Sequence, residues 1–154
     1  MRTRLSKRYI SPRKDLGALV FQVGSPDASP VINKWWFWED EEFVYLEGAL
    51  VQDSAGTAGS GTYDLTIPSW IIAMIDDTSY LGTDFSRQVG TFTMNNSSGA
   101  GTWYGPVCYN TTNDSLRFFL IQSGSTGAAW QSGSTPNLSA TDFKLSFSAK
   151  IRKK

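Results

Sequence analysis

The side chains available for chemistry are fourteen carboxylates, fourteen ammonium or guanidinium groups, six phenols and one thiol, with no imidazole among them. Without histidine there is no Ser-His-Asp or Cys-His arrangement, no His-ligated zinc or iron, and none of the commonest general base near neutral pH. The single thiol, Cys108, excludes an internal disulfide and a multi-cysteine metal cage, and within a β-prone run it reads as a small core residue. A carboxylate pair of the glycosidase kind is the one catalytic arrangement the composition leaves open. The acids of Asp76, Asp77 and Asp84, and of the run Glu39 to Glu42, carry enough oxygen for calcium but lack the spacing of a calcium loop, so they read as solvated turns. The expectation is a domain that is not an enzyme and requires no cofactor.

Aromatic side chains are the stronger candidates for a site. Trp35, Trp36, Phe37 and Trp38 form an unbroken cluster. On a strand, neighbours face opposite surfaces, so Trp35 with Phe37 and Trp36 with Trp38 must point apart. One pair therefore faces outward or into a partner, because two exposed indoles would leave an apolar patch of interface type. The expected role of the run is a subunit interface, with sugar stacking or a core wrapped on both faces as the alternatives. Trp103, Tyr104 and Trp130 lie beside turns, where rings stack on sugars; packing at the rim of the domain is the plainer reading for them, and glycan binding the functional one.

Charge is segregated along the chain. Arg2, Arg4, Lys7, Arg8, Arg13 and Lys14 open it without an acid, and Lys150, Arg152, Lys153 and Lys154 close it. Only Lys34, Arg87, Arg117 and Lys144 stand between them against all fourteen acids. An acidic body with basic ends points to docking of those ends on something acidic: the body of a neighbouring copy, an acidic protein lattice or nucleic acid. Leu5, Tyr9 and Ile10 interrupt the charges with groups that gain by burial, and Pro12 favours an extended path, so the anchoring arm is read as Arg2, Arg4, Lys7, Arg8, Tyr9, Arg13 and Lys14. Nucleic acid is disfavoured, since the arm lacks repeated Arg clusters and the body would repel phosphates.

These residues must be positioned by β-structure. At 154 residues and 40% apolar content the chain is sized for one core. No apolar run approaches the roughly 20 residues of a membrane span, and the basic opening lacks a secretory pattern, so a soluble protein starting at Met1 is expected. Strands are expected at Gly17 to Val23, Lys34 to Trp38, Glu42 to Val51, Tyr63 to Ile67, Val89 to Met94, Gly101 to Tyr109, Ser115 to Gln122 and Asp142 to Ile151. In the last, Phe143, Leu145, Phe147, Ala149 and Ile151 alternate with polar residues at period two. Trp70 to Ile75 is ambiguous between a buried strand and one helical turn, and the Gly/Ser/Ala stretch 53–61 reads as a flexible connection. About seven to nine short strands without an amphipathic helix indicate an antiparallel sandwich or barrel, and the expected fold is an all-β, jelly-roll-like sandwich over residues 34–154, preceded by an arm and first short strand over residues 1–33.

The order of these pieces resembles a small β-sandwich module of bacteriophage virion proteins, itself similar to the tumour-necrosis-factor and complement-head jelly roll. The residues that carry the resemblance are W-E-D-E-E-F-V-Y-L-E-G-A-L-V (Trp38 to Val51), G-S-G-T-Y-D-L-T-I-P (Gly59 to Pro68), Leu81 with Gly82, N-D-S-L-R-F (Asn113 to Phe118) and D-F-K-L-S-F-S-A-K-I (Asp142 to Ile151). It spans about residues 34–151 and is architectural, so it transfers no binding residues. The resemblance implies a homotrimeric structural protein on the virion surface, partnered by a major capsid protein or another virion protein. A basic arm joined directly to one head fits a capsid decoration or cement role; a tail-fibre or head-fibre protein binding host surface carbohydrate is the alternative. No membrane insertion is expected.

Overall fold

Strict alternation makes the central strands. In the computed structural model, which describes residues 9–79, 87–96, 101–121, 128–131 and 138–154, the strands are β1 (Lys14–Gly17), β2 (Ile32–Glu39), β3 (Phe43–Gln52), β4 (Leu65–Thr66), β5 (Gln88–Asn96), β6 (Gly101–Asn110), β7 (Ser115–Leu120), β8 (Ala128–Ala129) and β9 (Phe143–Arg152). Along β9, Phe143, Leu145, Phe147, Ala149 and Ile151 are buried while every residue between them is exposed. β3 alternates in the same way and pairs with β9 antiparallel over its whole length, from Phe43 opposite Arg152 to Gln52 opposite Phe143. Two strands so patterned bury one face each and can pair in one register only, since a slip by one residue would turn every apolar side chain to water.

The strands form one antiparallel sheet in the order β1-β2-β3-β9-β5-β6-β7-β4, with β8 paired to β7. A flat sheet would hold β7 and β9, which have β6 and β5 between them, about 14 Å apart. Yet the rings of Phe118 on β7 and Phe147 on β9 meet edge-on with centroids 5.5 Å apart. The sheet is therefore folded over, and the molecule is an antiparallel β-sandwich whose core lies between the two halves of one sheet. The chain leaving β1 closes the open side: Thr66 donates its N–H to the Val20 carbonyl and Gln22 to that of Asp64, both at 2.9 Å, so residues 20–22 link the β1 edge to β4 at the other edge. Trp130 sits at the centre, fully buried and in contact with Phe21, Tyr63, Phe118 and Phe143.

Several expectations shift. The strand expected at Gly17 to Val23 lies earlier, at β1, because Leu19 and Phe21 turn into the core instead of continuing along β2. Tyr63, Leu65 and Ile67 are buried and Thr66 exposed, as their alternation requires, although only Leu65 and Thr66 count as strand. Trp70 to Ile75 begins in a single helical turn, α1 (Ser69–Ile72), started by Pro68, whose carbonyl accepts the N–H groups of Ile71 and Ile72. The 53–61 stretch is pinned: Ser25 and Thr57 exchange both backbone bonds, at 2.9 and 2.8 Å, and Gly56 donates to the Leu138 carbonyl. β8 was not foreseen, being two alanines inside a turn-rich stretch. No helix among the described residues is long and apolar enough to cross a membrane.

Candidate functional site

The outward side chains of β2, β3, β9, β5 and β6 lie in rows set by strand register. Trp36 stands opposite Glu47, Glu47 opposite Ser148, and Ser148 opposite Thr91. The adjacent row runs Lys34, Ala49, Ser146, Thr93, Tyr104, and on the other side Trp38 is followed by Tyr45 and Lys150. The surface is thus an aromatic ridge on β2 and β3 beside a shallow depression of about 300 Å³ floored by small hydroxyl residues. The Thr93 and Ser146 hydroxyls are bonded to each other at 2.9 Å.

Cations cover the ridge. The Arg13 guanidinium lies 4.5 Å from the Trp36 ring centre and 5.4 Å from that of Trp38, and it is ion-paired with Glu47. Trp38 stacks on Tyr45 with planes 3° apart, and Lys150 lies 3.8 Å from the Phe43 ring centre. Lys14 sits over Trp70, itself packed edge-on against Phe37. Each such contact contributes on the order of 1 kcal/mol at an exposed site, and the half-exposed Arg13–Glu47 pair no more. The Arg13 contacts fasten the end of the arm to the outer face of its own chain, and Lys14 holds it to Trp70 on the Phe37 side.

Both chain ends converge on Glu39. Ser11 donates its N–H to the Glu39 carbonyl at 2.7 Å and its hydroxyl accepts the Glu39 N–H at 2.8 Å. From the other end of the sequence, Lys153 Nζ donates to Glu39 Oε2 at 2.6 Å and to the Asp40 carbonyl at 3.0 Å. Lys154 is held by the Met74 carbonyl close by. In the Glu39 to Glu42 run, read from sequence as a solvated turn, Asp40 Oδ1 accepts the Glu42 and Phe43 N–H groups and Asp40 Oδ2 accepts the Tyr45 hydroxyl, which closes the β2–β3 hairpin. Among the described residues no group of three or more acids, cysteines or histidines is disposed for a metal ion.

The aromatic run divides as alternation requires. Trp35 and Phe37 are buried in the sandwich core, at 3% and 5% exposure, while Trp36 and Trp38 are the outward pair. The interface expected of all four rings does not hold for Trp35 and Phe37, since a core ring has no surface to share; only Trp36 and Trp38 face outward. The glycan-binding expectation is corrected likewise: Trp130 has no exposed surface and Trp103 only 5%, so neither has a face for a sugar, whereas Tyr104 is 59% exposed. Of the arm residues, Arg2, Arg4, Lys7 and Arg8 lie outside the described residues, as do Asp84, Leu81 and Gly82.

One polar cluster escaped the sequence reading. Asp64, buried beside the core, accepts two bonds from Arg117, Nε at 2.9 Å and Nη2 at 2.8 Å, and a third from Asn110 at 3.1 Å. A carboxylate with this many donors is neutralised and held, which suits a structural tie between β4, β6 and β7. Tyr63, next to it, has its phenol pushed above the ordinary value by burial. Alternation with the core residues Tyr63 and Leu65 would point Asp64 outward, and its partners come from distant segments, so no local signal marks its burial. Comparison with protein-family models, curated proteins and solved structures gives no match to this chain.

Proposed function

We propose that this chain is a structural protein of the virion surface: a capsid decoration or cement subunit, homotrimeric, held on a major capsid protein or other virion protein by its basic arm. The observation that supports the reading is that the segments adjoining the two basic stretches meet at one end of the sandwich, Ser11 and Lys153 both bonding to Glu39. In this reading the basic residues ahead of Tyr9 grip an acidic surface while the sandwich projects. Support also comes from a composition without histidine and from buried carboxylate chemistry that is occupied in holding strands. The proposed role is not enzymatic and involves no cofactor, nucleic acid or membrane insertion.

Deleting residues 1–10 tests it, because β1 and the Arg13 contacts are left in place. The expected result is a folded sandwich that no longer joins particles; normal incorporation would overturn the anchor. A second reading, a fibre-head protein that binds host surface carbohydrate, rests on Tyr104, whose exposed ring stands beside Thr93 on the hydroxyl floor. Glycan-array binding that Tyr104→Ala abolishes would favour it, and an array without hits would remove it.

A further inference from the structure

The depression beside the aromatic ridge is lined by hydrogen-bonding groups that the fold leaves unused. Glu47, Ser148 and Thr91 follow one another across β3, β9 and β5, a row about 10 Å long at the ordinary spacing of strands. Glu47 accepts from Arg13 Nη2 through Oε2, and its Oε1 takes no bond from the described residues. The guanidinium has five N–H groups and gives one of them to Glu47. These two side chains are 45% and 50% exposed. Ser148 and Thr91 are exposed, and their hydroxyls bond no other described residue, whereas the neighbouring Thr93 and Ser146 hydroxyls hold each other at 2.9 Å. All six side chains line the same open space of about 300 Å³, with Trp36 as its wall on the β2 side. Beyond the opposite margin stands the exposed ring of Tyr104, paired with Thr93.

We infer that this depression binds a neutral saccharide, the Arg13–Glu47 pair and the Ser148 and Thr91 hydroxyls holding its hydroxyl groups. The ligand is neutral because the guanidinium and the carboxylate cancel: an anion would meet the Glu47 oxygen and a cation the guanidinium. Lys34 and Lys150, one step along their strands from Trp36 and Ser148, are not part of the lining. The ligand also has to donate and accept at closely spaced points, since Arg13 can only donate, Glu47 can only accept, and the serine and threonine do both. A row of sugar hydroxyls meets that demand, whereas an apolar ligand would cover the same groups and leave them without partners. The floor of serine, threonine and Ala49 lets a flat ring approach the sheet, and Tyr104 offers a face to the C–H side of a following sugar unit. The inference rests on the second reading above, carbohydrate recognition, and gives it a site and a ligand class. It also gives Arg13, a residue of the basic arm, a task on the chain's own outer face.

The test uses the full chain on an array of neutral, uronate-bearing and sialylated glycans, followed by calorimetry with the strongest neutral hit. Binding to neutral glycans is expected. Glu47→Ala removes the acceptor and is expected to raise Kd about tenfold; Ser148→Ala leaves the Arg13–Glu47 pair intact and is expected to raise it about fivefold. Both positions lie on the outer face, and circular dichroism verifies that the fold is kept. Neutral hits that neither substitution weakens overturn the site while the carbohydrate reading stands. Hits confined to the acidic glycans overturn the ligand class and also leave that reading standing. An array without hits removes both.

Discussion

At the scale of single residues, the sharpest demand falls on Asp64. Its side chain is 2% exposed and bound by Arg117 in two places, so removing it leaves a guanidinium facing a dry site. Asp64→Ala is expected to lower stability by about 3 kcal/mol in urea unfolding. Adding Arg117→Leu is expected to cost less than the sum of the two single changes, since the second removes the stranded charge. Tyr63 gives a pH dependence. The folded state holds its phenol neutral above the ordinary value of about 10, so the folded protein binds the proton more tightly than the unfolded chain. The associated stability is complete below pH of about 10 and is lost as pH rises through the folded value. Unfolding midpoints measured from neutral to alkaline pH should fall there in the wild type, and Tyr63→Phe should flatten that fall.

At the scale of elements, the outer face depends on how closely β5 and β9 approach. Gly90 pairs with Ala149, and a Cβ built at Gly90 would lie 1.9 Å from the Ser148 carbonyl oxygen. Gly90→Ala must therefore push the strands apart where Thr91 and Ser148 share the trough. A loss of about 2 kcal/mol is expected, with amide exchange quickened in β5 and β9 before β2 and β3. Unchanged protection in β5 would mean that the pair tolerates the added atom. The arm is an element of another kind: β1 has only four residues, and its attachment to the sheet is reinforced by Arg13 and Lys14 lying on Trp36, Trp38 and Trp70. Basic residues whose sequence context suggests reach toward a partner serve first to hold the arm on its own body.

At the scale of the whole molecule, the folded-over sheet brings the first and last strands' outer ends together at Glu39. Attachment of the proposed kind, through the basic arm, weakens as salt screens it, over a Debye length of about 8 Å at physiological ionic strength. Release of the protein from particles is expected to rise steadily with salt while its circular dichroism stays constant. Release that ignores salt would assign the attachment to apolar contacts instead.

The chain's own residues determine the all-β class, the β2–β3 hairpin and the inward set of β9, because strand period is a local property that five alternating apolar residues state without help. They also determine that Trp35 and Trp36 point apart. Which of the two faces inward, and that Trp130 and Trp103 are core rings despite their turn-rich surroundings, follows only from the curl of the sheet, since burial depends on what arrives from elsewhere in the chain. The same holds for Asp64 with Arg117, separated by 53 positions, and for Ser11 and Lys153 meeting at Glu39. Pattern along a sequence encodes which side of a strand is apolar; only the packed sheets decide which distant charges become neighbours and which surface is left open.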